Sequence, residues 1–435
     1  MKFAFYTLGC KVNQYETQAM EQRLLAQGHT LGEWTETCDG YIINTCTVTA
    51  VSDKKSRNAI RRVRKLNPNA VVGVCGCYAQ TQPDDLRKLE VDVLAGTADR
   101  MSFLDAVVDE AGRRIRERRE FWEKAAFHRS FEVLPAGGMA ARTRAMLKIQ
   151  DGCNNFCTYC IIPYARGPIR SLPLEEAVRQ AEAVALEGYR ELVVTGIEIS
   201  SWGLDFRDGS SLQDLLTAVC QAAPGVRIRL GSLEPRTVTQ DFCLALWRFP
   251  NLCPQFHLSL QSGSDAVLSR MHRKYDTERY RRSAALLRQY FPGCALTTDL
   301  IVAFPGETEA EFSESLAFLE EIGFAAVHVF PYSRRPGTPA AKLSGQHSNM
   351  VKEARSAAAG DVAARLSRRY QEGLFGTVQQ VLFEQPENGF FTGHAKNYVK
   401  VYVPLQDLHN QIRDVRITGL FGDGVAGELV EPHGI

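Results

Sequence analysis

The sequence has almost no excess of charge of either sign. Its 51 Lys and Arg stand against 50 Asp and Glu, a net charge of +1. That balance removes the usual electrostatic argument for a nucleic-acid or membrane-surface protein. Long apolar runs are also missing, and none approaches the ~18 residues that a bilayer-spanning helix requires. The first residues, MKFAFYTLGCKVNQYE, reach charge and turn residues too early for a secretory leader. The chain is therefore expected to be soluble, cytoplasmic, monomeric and without a membrane partner. Low-complexity tracts and internal repeats are absent beyond a strand–helix alternation, and the nine histidines are scattered with no ligand spacing. What is abundant is cysteine, with twelve in the chain. In a reducing compartment so many thiols suit metal binding better than a disulfide framework.

Three regions follow from the hydrophobic period. In the first, expected to span 1–115, Lys2–Thr7, Tyr41–Asn44 and Ala70–Val74 read as strands. Tyr15–Ala26 and Ser52–Leu66 read as helices, the second stopped at Asn67-Pro68. Crossover helices between strands predict a doubly wound parallel sheet, an α/β fold. A charged helical segment over Met101–Arg129 and a hinge at Pro135–Gly138 come next. The second region, expected over 139–369, offers six strands: Ala145–Gln150, Glu191–Thr195, Arg227–Leu230, Gln255–Leu260, Leu296–Val302 and Ala326–Phe330. Six βα units are too few for an eight-fold barrel and predict a partial one. Gly337 to about Arg369 reads as helical. The last region, expected over 371–435, breaks into short alternating strands, as in a small antiparallel barrel.

Cys153, Cys157 and Cys160 follow the first strand of the second region as C-x3-C-x2-C, with no Cys or His after them until Cys220. Structural zinc and ferredoxin-type clusters both want a fourth protein ligand. Three thiolates instead leave one iron of a cluster open to a small chelating molecule, and the amino and carboxylate groups of S-adenosylmethionine can fill that place. Reductive cleavage of its S–C bond would give a radical able to take hydrogen from unactivated C–H bonds, in a barrel that excludes water. A second set is dispersed: Cys10, Cys46 and Cys77 each follow a strand of the first region. Ligands converge beyond the carboxyl ends of parallel strands, so these three are expected to meet. Cys75 is a rival to Cys77, although it still lies within the apolar strand. Cys38, Cys220, Cys243, Cys253 and Cys294 read as packing residues.

The wording around these cysteines resembles the methylthiotransferases. Thr7–Thr17, Asn44–Val48 and Gly76–Gln80 resemble the three cysteine motifs of their N-terminal domain. Gly152–Cys160 with Ile162–Gly167, Leu230–Pro235, Leu258–Ser264 and Thr298–Glu307 resemble their radical domain, and the last region resembles their TRAM domain. The resemblance implies two [4Fe-4S] clusters and S-adenosylmethionine. It assigns one cluster to Cys153, Cys157 and Cys160, and the other to Cys10, Cys46 and Cys77 as the sulfur-carrying site. It further suggests Tyr159 beside the adenine, Gly196 and Glu198 at the cofactor's amino group, and Gln261 and Arg273 facing the open barrel end.

Leu8–Tyr15 with Ser232–Pro235 is closest to the branch that acts on N6-threonylcarbamoyladenosine at position 37, in the anticodon loop of tRNA. The partners would then be tRNA, an electron donor and a sulfur donor. Rival readings are isopentenyladenosine of tRNA, a ribosomal-protein aspartate, or a non-catalytic iron–sulfur redox sensor that binds RNA. Two places could touch RNA. One is the run Lys54–Lys65, with seven basic residues and no acidic one. The other is Lys396, Asn397, Tyr398 and Lys400 in a last region of net charge −4, with the tyrosine offered for stacking. Arg166, Arg170 and Arg273 are the expected partners of the substrate's carboxylate.

Overall fold

A computed structural model describes residues 1–113, 118–138 and 143–430. The expected region limits at 115 and 139, and the tail 431–435, lie outside the described residues. The first sheet has six parallel strands in the order β2-β1-β3-β4-β5-β6. They are β1 (Lys2–Thr7), β2 (Thr30–Leu31), β3 (Gly40–Thr45), β4 (Val71–Gly76), β5 (Val93–Ala95) and β6 (Arg119–Phe121). Every residue of β3 and β4 is buried, as expected of central parallel strands covered by helices on both faces. Helix α1 (Lys11–Ala26) starts directly after Cys10, and α2 (Ala50–Leu66) is capped by the Thr49 hydroxyl accepting from Ser52 N. The helix expected over Met101–Arg129 is shorter: it ends at Ala111, and β6 and the 3-10 turn Ala125–Phe127 follow.

The second region begins at β7 (Arg144–Asp151) and carries the antiparallel edge strand β8 (Arg170–Ser171). Parallel pairing runs from β7 through β9 (Glu191–Gly196) to β10 (Arg227–Leu230). It runs again through β11 (Gln255–His257), β12 (Ala295–Val302) and β13 (Ala326–Pro331). Parallel bridges Ile228–Leu252 and Leu233–Leu258 join the two halves, so six parallel strands form one open arc, the predicted partial barrel. The segment after β13 is only partly helical, with Pro339–Lys342 and Asn349–Glu372 separated by extended chain.

The last strands, β14 (Val378–Glu387), β15 (Phe390–Ala395), β16 (Lys400–Pro404), β17 (Ile412–Phe421) and β18 (Gly424–Leu429), close a five-stranded barrel. It departs from the expected antiparallel barrel at one place, where β16 and β18 run parallel. Among the described residues no helix is long and apolar enough to cross a membrane.

A buried ion network bolts the first layer to the second. Glu16 on α1 pairs with Arg100 at 3.0 Å, Lys148 of β7 at 3.2 Å and Arg166 at 2.7 Å. Asp151 takes Lys148 at 2.6 Å and Arg166 at 3.2 Å. Burial alone would push the Glu16 carboxyl up, but Arg100, Arg166 and Lys148 outweigh it and hold the group far below its usual range. A carboxyl depressed in the folded state contributes stability above its unfolded value of about 4.3, and that contribution fades as pH falls below it. Glu16→Gln leaves buried cations short of a partner, at a cost of about 3–5 kcal/mol. Chemical denaturation at pH 7 should show that loss, and between pH 5 and 3 the variant should lose less further stability than the parent.

Candidate functional site

The chain after β7 turns at Gly152 into the loop that carries Cys153, Cys157 and Cys160. Those thiols, with Tyr159, Glu198, Ser232, Glu234 and Arg273, line a cavity of about 140 Å³. Burial pushes the Cys153 thiol up to about 11 and the Cys160 thiol up to about 12, so metal binding must displace protons. Arg273 donates to Cys157 Sγ at 3.1 Å and its guanidinium packs 4.8 Å from the Tyr275 ring centroid. The cavity lining holds no fourth Cys or His, so three thiols fit a cluster with an open position. Glu198 caps a short turn by accepting from Ser200 N at 3.0 Å. Burial and then the neighbouring Glu234 raise its carboxyl. Glu234 had no role assigned from sequence, yet it follows β10 as Glu198 follows β9, and strand-end position was the available signal.

Two expected cofactor residues are not brought into this pocket. Gly196 ends β9 on the wall of a larger cavity. Gln261 is set by its backbone, with φ +71° and hydrogen bonds to Asp299 O and from Ile301 N, and is not among the residues lining the thiol pocket.

Two glycines set up the second thiol group. Gly9, at φ +105°, lies so close to Cys46 that a Cβ there would stand 2.9 Å from its Sγ. Gly76, at φ +101°, turns the chain out of β4, and a Cβ would meet Thr45 O at 2.5 Å. That turn separates Cys75 from Cys77. Cys75 stays in the strand, in an apolar cluster with Phe103 and Val107. Cys77 opens the short helix α3 (Cys77–Thr81), near Cys46 and Cys10, whose charges add to the burial that pushes its thiol up to about 12. Arg166 Nε donates to Cys77 Sγ at 3.4 Å, and Val48 N donates to Cys46 Sγ at 3.4 Å.

Cys10 alone of the three is exposed, and it opens onto the larger cavity of about 540 Å³. That space runs through the barrel interior past Thr195, Gln255, Thr297 and Asp299 to Tyr398 and Lys400 of the last region. Histidines left unassigned by sequence meet there: ligand atoms of His257, Asp299 and His328 lie within 4.8 Å of one another. Ser232 lines both cavities.

Several expected cations are already engaged. Arg166 is fully buried between Glu16, Asp151 and Asn13, and Arg170 is held by Arg166 O at 2.9 Å and Asp151 at 3.5 Å. Neither is free for a substrate carboxylate, which corrects that expectation. The polar members of the expected RNA patch are likewise engaged within the chain. Lys396 donates to Pro250 O at 2.9 Å, Asn397 is buried, and Lys400 pairs with Glu387 at 2.9 Å and Asp423 at 3.3 Å. The Tyr398 ring packs against Arg229, Arg144 and His394 at 4.6, 5.1 and 4.7 Å, yet stays 39% exposed where it lines the larger cavity. On α2, Arg57 bonds Tyr78 and Arg64 bonds Asp92, while Lys54, Lys55, Arg61, Arg62 and Lys65 face solvent.

A parallel βα arc with three thiols after its first strand agrees with a match to the Radical SAM superfamily over residues 147–319, and defines an enzyme of that class. Residues 2–96 match the Uncharacterized protein family UPF0004. Threonylcarbamoyladenosine tRNA methylthiotransferase MtaB of Bacillus subtilis is 40% identical over 422 residues, covering 95% of this chain and 93% of that protein. The tRNA-2-methylthio-N(6)-dimethylallyladenosine synthase of Symbiobacterium thermophilum is 31% identical, covering 98% and 93%. The chain thus belongs to the radical S-adenosylmethionine tRNA methylthiotransferases, a membership that implies a [4Fe-4S] cluster and S-adenosylmethionine. Among solved structures, the radical S-adenosylmethionine methyltransferase TsrM of Kitasatospora setae has the same fold at a TM-score of 0.58 and 14% identity, over 89% of this chain and 79% of that one.

Proposed function

We propose that this enzyme converts N6-threonylcarbamoyladenosine at position 37 of tRNA to its 2-methylthio derivative, with one [4Fe-4S] cluster on Cys153, Cys157 and Cys160 and a second on Cys10, Cys46 and Cys77. The observation that supports this reading is the cavity onto which Cys10 opens, whose wall sets Lys11, Thr195, Gln255, His257, Thr297 and Asp299 among apolar residues such as Leu230, Ala325, Ala326 and Val399. The polar members of that wall suit a threonylcarbamoyl group, whose acid, ureido and hydroxyl groups need partners, and find no partner in an isopentenyl group. When bound, the first cluster supplies the electron that cleaves S-adenosylmethionine, and the second holds the sulfur to be transferred.

The chain's own residues do the positioning. Glu198 and Glu234 line the pocket beside Tyr159 and would receive the ammonium of the cofactor, Glu234 while paired with Arg236 at 2.8 Å. Arg273 fixes the cluster loop through Cys157 Sγ. The arc encloses the reacting atoms away from water. An anticodon loop can offer its adenine unstacked, without the cost of opening a duplex. The exposed basic face of α2 is available to its phosphates. The test is turnover on two otherwise identical tRNAs, one bearing threonylcarbamoyladenosine and one isopentenyladenosine. Methylthiolation of the first is expected, and product from the second alone would move the enzyme to the other substrate.

A further inference from the structure

We infer that Lys11 forms a carboxylate-binding subsite in the larger cavity and receives the free acid of the threonylcarbamoyl group; the inference rests on the substrate reading above. Lys11 follows Cys10 directly, and both line the cavity. The acid would therefore be held beside the thiol set from which sulfur is delivered.

Charge around Lys11 is out of balance. Its charged neighbours are Arg229, Arg144 and Glu191. Glu191 is already committed: Arg229 takes its two oxygens at 2.7 and 2.8 Å, and Arg144 approaches at 3.3 Å. Arg144 has a second carboxylate in Glu384, which also holds His394 at 2.8 Å. Three cations thus share two carboxylates, and among the described residues Lys11 has no ion pair of its own. An added anion at Lys11 meets a potential that both arginines raise.

The cations expected from the sequence, and Lys400 on the same wall, are spent. Arg166 and Arg170 are buried in the Glu16–Asp151 network, Arg273 is on Cys157, and Lys400 clamps Glu387 and Asp423. Elsewhere on the same wall stands Asp299, 3.4 Å from His257 Nε2. Its charge repels an acid and attracts the donors of the ureido and hydroxyl groups. The wall therefore orients the side chain, acid toward Lys11 and donors toward Asp299. An isopentenyl group gains from neither.

The experiment uses reconstituted holoenzyme and anticodon stem-loops bearing threonylcarbamoyladenosine or its methyl ester. The ester removes the charge and keeps the shape. Lys11→Gln, with the iron content of the parent, should raise KM for the acid about ten-fold, the scale of one hydrogen bond to a charged group. It should leave KM for the ester near the parent value, and Lys11→Arg should restore most of the preference for acid over ester. An equal effect on acid and ester in Lys11→Gln would overturn the subsite while leaving the substrate reading intact. So would an unchanged acid-to-ester ratio accompanied by an altered electron paramagnetic resonance spectrum, which would assign Lys11 to the adjacent cluster. Parent enzyme that turns over an isopentenyl stem-loop and not the threonylcarbamoyl one would instead remove the substrate reading, and the subsite with it.

Discussion

Replacing Cys153, Cys157 and Cys160 together with Ala should abolish formation of 5′-deoxyadenosine and remove about half of the iron bound by the reconstituted protein. The expectation of complete loss comes from the lining of the pocket. Among the described residues, no other Cys or His lines the pocket to stand in for its three thiols. The spare thiols of the barrel are Cys220, Cys243, Cys253 and Cys294, all buried, with burial pushing them up to about 12, 11, 11 and 11. A thiol packed in an apolar core neither ionises readily nor reaches the mouth of the arc. The half-loss of iron tests something separate, namely that the Cys10, Cys46 and Cys77 site fills independently. Iron and cofactor cleavage are therefore measured on the same preparation. Cleavage that survives in the triple variant would contradict the placement of the radical site.

The fold was legible where a strand is buried on both faces. The apolar stretches within Glu191–Gly196 and Val71–Gly76 locate both strands, read from sequence as Glu191–Thr195 and Ala70–Val74, one and two residues short at their ends. Thr30–Leu31 and Arg119–Phe121 were not legible, because two or three residues at a sheet edge carry no period and are extended only by their neighbour's hydrogen bonds. The same contrast divides the site. Strand-end cysteines could be found because parallel topology alone carries them to one place. The fate of a cation could not be found, because it depends on partners distant in the chain. Arg166 meets Glu16 from 150 residues away, and Arg144 meets Tyr398 from 254 residues away. Arg166 looks free in its motif and is saturated by a layer that the motif does not describe. Lys11 is the converse. It looked like an ordinary first residue of a helix, and only the cavity and the commitment of Glu191 to Arg229 distinguish it.

Ala at Cys10, Cys46 and Cys77 together should separate the two half-reactions in the opposite sense, with methylthiolated product lost and cleavage of S-adenosylmethionine largely retained. The pocket of Cys153, Cys157 and Cys160 draws none of its lining from the first sheet, so its geometry does not depend on those three thiols. The link between the two sites is Arg166, which donates to Cys77 Sγ. Its stronger partners are Glu16 at 2.7 Å and Asp151 at 3.2 Å, and both remain in the variant, so the cluster loop keeps its anchor. Single substitutions resolve the third ligand. Cys77→Ala should lose the iron of this site, because Cys77 alone of the pair leaves the strand toward Cys10 and Cys46. Cys75→Ala should keep it and destabilise modestly, since Cys75 fills an apolar cluster with Phe103 and Val107. Iron content and product mass spectrometry on the two single variants give the answer. The opposite pattern would require β4 to deliver its thiol from the middle of the sheet, which the Gly76 turn at φ +101° argues against. Product from the triple variant would show that sulfur reaches the adenine without passing through this site.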